Sequence, residues 1–144
     1  GIPTRYSPDV YKYLWDKILY NCALNPLGAL LETNYGTLAE NPHTRKLMDA
    51  IIDEIFAVAA AKGIELFHRS ADEYKNLFYE KLLPPTAGHY PSMYWDIKAG
   101  RRTEIDALNG AVVALGKEVG VPTPVNENIT ELVKAKEKLS LKRD

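Results

Sequence analysis

Four times this chain sets a small polar residue directly before a proline; Asn25-Pro26 falls inside an apolar helical stretch, and the other three, Ser7-Pro8, Asn41-Pro42 and Thr123-Pro124, each stand at the start of one. Such a pair opens a helix, because the polar side chain can cap free backbone N–H groups and proline suits the first helical position. Apolar residues follow each pair at helical spacing. The first pair predicts a helix from Pro8 toward Leu31, with Pro26 inside it. Pro26 removes one backbone donor, so a kink or break is expected there. After Asn41-Pro42, the positions Leu47, Ile51, Ile55, Val58 and Ala59 make one apolar stripe that Gly63 ends. Ser70-Ala71-Asp72-Glu73 is a capping box opening a third helix to about Leu83, where Pro84-Pro85-Thr86-Ala87-Gly88 stops it.

Pro91-Ser92 restarts helical order through Met93, Trp95 and Ile97, and Gly100 interrupts it. Ile105, Leu108, Val112, Val113 and Leu115 carry the next helix, which Gly120 closes. The last helix runs from Pro124 through Ile129, Leu132 and Val133, and Lys134 to Lys138 read as a solvated charge run. Only Ile64-Glu65-Leu66-Phe67 alternates weakly like a strand. The pattern predicts an all-α helical bundle with a long, kinked first helix.

Length and composition suit a single soluble domain: 144 residues, 46% hydrophobic and 26% charged. A net charge of −1 offers nothing to nucleic acid or an acidic membrane surface. No apolar run is long enough to span a bilayer, and the first five residues lack a signal-peptide core, so a cytoplasmic location is the expectation. Cys22 is the only cysteine and reads as a buried structural thiol. His43, His68 and His89 have no metal-ligand spacing to Cys, Asp or Glu, so no metal is assigned.

The polar residues of the first helix are the ones that suggest chemistry. Lys17, Asn21 and Asn25 lie four apart. Each step turns the helix about 400°, so the three drift only about 40° per step and share one stripe. A solvated polar face is the ordinary reading. Against it, asparagine is a poor helix former, and Trp15, Tyr20 and Leu24 leave little of the helix polar. Ser92 after Pro91 reads by spacing as a helix N-cap, and Glu104 as an acid suiting a helix start. Arg101-Arg102 can bind phosphate, though a surface pair is commoner. Asp106 and Asn109 fall on one expected helix and can form a local polar cluster. Tyr90, Tyr94 and Trp95 gather near Ser92 as the possible wall of a pocket. No glycine-rich phosphate loop is present.

Three blocks together resemble the C-terminal helical domain of the ketopantoate reductase (2-dehydropantoate 2-reductase) family. They are Trp15-x-Lys17-x3-Asn21-x3-Asn25-Pro26-Leu27, then Ser92-Met93-x2-Asp96-Ile97 with Gly100-Arg101-x-Thr103-Glu104-Ile105-Asp106-x2-Asn109-Gly110, then Gly120-Val121-x-Thr123-Pro124-x-Asn126. They occur in the family's order and span most of the chain. The resemblance implies a fold like the 6-phosphogluconate dehydrogenase C-terminal domain. It also implies that residues 1–144 are a substrate-binding and dimerisation domain, with the Rossmann NADP-binding domain outside them. Gly1-Ile2-Pro3 resembles the family's crossing between the two, so the chain is expected to be a fragment, inert alone.

By the same resemblance the parent reduces 2-dehydropantoate with NADPH on the route to pantothenate. Lys17 is the general acid and a substrate contact, Asn21, Asn25 and Ser92 bind substrate, and Glu104 lies on the cofactor side. The partner is a small 2-keto acid, and a homodimer is expected, with neither nucleic acid nor membrane. Two departures from the family pattern stand out. Members often place an asparagine just before the glycine after the first helix, where this chain has Tyr35 before Gly36, with Asn34 one position earlier. No substrate role is transferred to either. Met93-Tyr94-Trp95-Asp96 sets a large indole beside the expected pocket. The indole leaves a reductase of another 2-keto acid as a second reading, and the absence of a cofactor loop leaves a stand-alone helical interaction module without catalysis as a third.

Overall fold

The computed structural model describes residues 8–141, and the Ser7 cap lies outside them. Seven α-helices account for most of the described residues: α1 (Pro8–Leu31), α2 (Tyr35–Glu40), α3 (Pro42–Lys62), α4 (Ala71–Leu77), α5 (Ser92–Lys98), α6 (Asn109–Val119) and α7 (Pro124–Leu141). No strand occurs among the described residues. Ile64-Glu65-Leu66-Phe67 keeps its alternation, with Ile64 and Leu66 half-buried and Glu65 and Phe67 exposed, but it is a lone loop with no strand to pair with. Its outward residues hold α1 instead. Glu65 pairs with Lys12 at 2.8 Å, and the Phe67 ring meets Tyr13 edge-on at 4.9 Å.

The local signals set the helix ends. Asn41 Oδ1 accepts from the N–H groups of His43 and Thr44, and Ser70 Oγ from Glu73 N. Glu73 reaches back to Arg69 N at 2.6 Å, one residue beyond the usual capping-box partner. Gly63 and Gly120 close α3 and α6 with φ near 77° and 74°, the left-handed region that glycine enters without a side-chain clash. Two expectations need correction. Helix α2 is additional to the expected helices, and Asn34 caps it by accepting from Thr37 N at 2.9 Å. The expected helix over Ile105–Leu115 is a 3₁₀ turn (Ile105–Ala107) followed by α6, separated at Leu108. Beyond α4, Phe78–Leu82 widens into a π-type turn closed by Leu83 N to Phe78 O at 2.9 Å.

Helix α1 lies at the centre and packs on α3, α5 and α7. It runs through Pro26 without a break. Its inner face, including Trp15, Leu19, Leu24 and Leu27, joins Leu38, Ile51, Ile55, Tyr74 and Phe78 in the main core. A smaller cluster of Ala29, Met93, Ile97, Ile105 and Val133 binds the end of α1 to α5, the 3₁₀ turn and α7. That second cluster fixes where Ser92 and Glu104 stand relative to α1.

Candidate active site

Along α1 the polar stripe passes from solvent into the protein: Lys17 is exposed, while Asn21 and Asn25 are half-buried. Asn25 lies eight positions after Lys17, about 12 Å of rise along the helix. The neighbouring charges of α1 are engaged elsewhere. Lys12 pairs with Glu65, and Asp16 Oδ1 lies 3.3 Å from His68 Nε2. Among the described residues Lys17 makes no hydrogen bond or ion pair.

At the inner end of the stripe, Asn25 Oδ1 accepts a hydrogen bond from the Tyr35 hydroxyl at 2.9 Å. Tyr35 is 6% exposed, and burial pushes its hydroxyl up to about 12. It therefore remains a protonated donor at neutral pH. Its ring stands edge-on to Tyr20, whose hydroxyl meets Thr86 Oγ1 at 2.6 Å. The backbone ties the same segments together, with Tyr35 N bonding His89 O at 3.0 Å and Gly36 N bonding Ala87 O at 2.8 Å. Tyr35, to which the sequence pattern transferred no substrate role, is the residue that stands against Asn25. Its place directly before Gly36 marked it as a departure from the family pattern, without saying which side chain it would meet. Asn34, by contrast, caps α2, its Oδ1 accepting from Thr37 N and from the Thr37 hydroxyl.

The segment that Tyr35 and Gly36 hold leads straight into α5. Pro91 packs against Gly28 so closely that a Cβ added there would lie 2.8 Å from Pro91 Cδ. This contact brings the start of α5, and with it Ser92, to the part of α1 just beyond Asn25. Ser92 is the first residue of α5 rather than its cap: Pro91 holds the cap position, and no side chain caps the helix. Its hydroxyl is thus not consumed by the backbone, and the residue is exposed. Tyr90, Tyr94 and Trp95 do cluster beside it, with ring centroids 4.7–6.2 Å apart. Lys98 lies 5.5 Å from the Tyr94 ring centroid.

Glu104 stands farther on, exposed, just before the 3₁₀ turn. The turn is held by Ile105 in the second cluster and by Glu137, which accepts from Thr103 N at 2.7 Å and from the Thr103 hydroxyl. The structure thus groups Asn25 with Tyr35 and brings α5 to them, whereas among the described residues no hydrogen bond or ion pair joins Lys17 or Glu104 to that group. A cavity of about 260 Å³ lies at the end of α1, lined by Ala29, Glu32, Tyr94, Ile97, Lys98, Lys136 and Ser140. It touches none of Lys17, Asn21 or Asn25.

The remaining candidates resolve into structural roles. Cys22 is free and fully buried, and burial drives its thiol well above the ordinary range, so it is no nucleophile. Arg101 pairs with Asp96 at 3.2 Å on the surface. Asp106 and Asn109 do not form a cluster. Asp106 pairs outward with Lys134 at 2.8 Å, and Asn109 is fully buried. Lys134–Lys138 is not merely solvated either. Lys136 Nζ bonds Ala29 O, Leu30 O and Glu32 Oε2 within 3.2 Å, and Glu137 holds Thr103. No group of three potential metal ligands occurs among the described residues, and no helix there is long and apolar enough to cross a membrane.

Residues 9–137 match the family described as ketopantoate reductase PanE/ApbA C terminal. The chain is 67% identical over 142 residues to the 2-dehydropantoate 2-reductase of Aquifex aeolicus (strain VF5), covering 99% of this chain and 46% of that protein. It therefore spans about half the length of the curated relatives it matches. Among solved structures, a PanE/ApbA family ketopantoate reductase from Ralstonia eutropha JMP134 is 33% identical with a TM-score of 0.80, over 97% of this chain and 45% of that one. D-mandelate dehydrogenase with NADH and anilino(oxo)acetate is 37% identical with a TM-score of 0.82, over 94% of this chain and 44% of that one.

Proposed function

Since the chain belongs to the ketopantoate reductase C-terminal family, we propose that it supplies the substrate-binding half of an NADPH-dependent reductase converting 2-dehydropantoate to pantoate on the route to pantothenate and coenzyme A. The observation that carries this reading is the stripe of Lys17, Asn21 and Asn25, with α5 docked on Gly28 just beyond it. It offers a cation with no partner among the described residues, two amides and the Ser92 hydroxyl to a small anionic molecule. Asn21, Asn25 and Ser92 hold the substrate's carboxylate and hydroxyl while staying neutral. Lys17 Nζ faces the keto oxygen. As the keto carbon gains hydride, negative charge gathers on that oxygen; the ammonium stabilises it and delivers the proton that completes the hydroxyl.

The reduced nicotinamide supplies the hydride when bound. The residues present fit only its edge. Glu104 is an exposed carboxylate that can accept hydrogen bonds from ribose hydroxyls, on a turn pinned by Glu137. No glycine-rich loop to cradle the phosphates is in this sequence. Binding of the dinucleotide is therefore assigned to a Rossmann domain outside residues 1–144, and the chain alone turns over nothing. The active protein is a cytoplasmic homodimer in this reading.

The test is NADPH oxidation by the full-length protein with 2-dehydropantoate. Lys17→Ala lowers kcat by about a hundredfold or more, the usual scale for a lost general acid. A rate within about threefold of the parent overturns the assignment. A second reading keeps the chemistry and changes the substrate to a bulkier, aromatic 2-keto acid. It is favoured by the exposed Trp95 beside Ser92 and by the likeness to D-mandelate dehydrogenase. A panel of aliphatic and aromatic 2-keto acids, run with NADPH and with NADH, separates the two.

A further inference from the structure

Asn25 carries a carbonyl oxygen, which accepts hydrogen bonds, and an NH₂ group, which donates them. In this fold the oxygen is already taken. The Tyr35 hydroxyl donates to Asn25 Oδ1 at 2.9 Å. Tyr35 has little freedom to do otherwise. Its ring is buried against Tyr20, its N–H bonds His89 O at 3.0 Å, and Gly36 next to it bonds Ala87 O at 2.8 Å. Tyr20 is in turn tied to Thr86 at 2.6 Å. One buried phenol therefore joins the amide on α1 to the segment that leads into Ser92.

We infer that Tyr35 is a positioning residue for the reaction: it holds the Asn25 side chain with its NH₂ toward the substrate face, making that position a dedicated donor to an anionic or carbonyl oxygen. The inference rests on the proposed function, since it presumes that Asn25 touches the substrate. A fixed donor favours a carboxylate or keto oxygen over a hydroxyl proton at that point. A freely turning amide would accept either. Fixing it in advance also spares the binding step the cost of ordering it.

The test compares four forms of the full-length reductase: parent, Tyr35→Phe, Asn25→Ala and the double variant, with KM and kcat for the 2-keto acid measured separately and Tm recorded. Loss of one positioned hydrogen bond predicts a KM raised about three- to tenfold in Tyr35→Phe, with kcat and Tm essentially kept. Because Tyr35 acts through Asn25, the double variant binds no worse than Asn25→Ala. Asn25→Asp, which keeps an acceptor for Tyr35 but loses the donor, binds at least as poorly as Asn25→Ala. Additive effects in the double variant, an Asn25→Asp form with parental KM, or a Tyr35→Phe form that loses kcat and Tm together each overturn the inference while leaving the proposed function standing. A parental KM in Asn25→Ala removes Asn25 from the substrate site and overturns both.

Discussion

Pro26 has no N–H to offer the carbonyl of Cys22 four residues earlier, and that carbonyl is buried inside the bundle. Asn109 Nδ2 takes the missing place at 3.2 Å and also donates to Asn126 Oδ1 at 3.0 Å. Asn126 in turn donates to Glu54 Oε1 at 2.8 Å. A proline in a central helix is thereby tolerated with the Cys22 carbonyl paired, and four helices share one buried polar chain, in which Asn109 Oδ1 is the atom left without a partner. Asn109→Ala strands the Cys22 carbonyl and Asn126 Oδ1, so urea unfolding should show a loss of about 1–3 kcal/mol. Asp16 gives a prediction of opposite sign. Burial holds its carboxyl above the ordinary aspartate range, with His68 opposing only in part. A carboxyl whose folded pKa is raised stabilises the fold when protonated, and that stability is lost as pH climbs through the folded value. At pH 7 the ionised Asp16 is thus a burden that Asp16→Asn removes. The variant should melt higher than the parent at neutral pH, with the gain shrinking to nothing below the ordinary aspartate pKa of about 3.9. Thermal scans across pH 3 to 7 check it.

At the scale of elements, the helix ends divide into those closed locally and those closed from a distance. Asn41, Ser70, Gly63 and Gly120 act within four residues of themselves, and each was legible as a cap from spacing alone. The C-terminus of α1 was not. It has no basic residue in its last turn, and Glu32 there adopts φ 55°, which is uncommon for any residue but glycine or asparagine. The cation comes from α7, where Lys136 bonds the carbonyls of Ala29 and Leu30 and the Glu32 carboxylate. Glu54 on α3 likewise caps the start of α7 by accepting from Val125 N and Asn126 N. The α1–α5 crossing depends on the absence of a side chain at position 28. Gly28→Ala drives a methyl into Pro91, so a loss of about 1–3 kcal/mol is expected from overpacking, measured by chemical unfolding. On the proposed function, the same change in the full-length protein should raise KM more than it lowers kcat, because it displaces Ser92 and leaves Lys17 alone.

The whole molecule is two apolar clusters strung on one helix, and the larger could be drawn from the helical periodicity of α1 and α3. Leu31, Leu132, Leu139 and Leu141 remain exposed beyond the smaller cluster, and the homodimer of the proposed function has apolar surface to work with. Sedimentation of the full-length protein at high micromolar concentration should show a dimer; a monomer alone counts against it. The all-α class, the main helix bounds and the alignment of Lys17, Asn21 and Asn25 on one stripe all followed from the order of residues. Capping and periodicity work over about four residues, within reach of a helix's own turns. The partners did not follow. Asn109 meets Cys22 across 87 positions, Lys136 meets Leu30 across 106, and Tyr35 reaches Asn25 only because the chain reverses after α1. Which buried polar group completes which is settled by how helices pack, since a desolvated donor or acceptor must find whatever partner the packing brings to it. Sequence alone placed the polar groups on their helix, and the tertiary structure decided which stay available for chemistry.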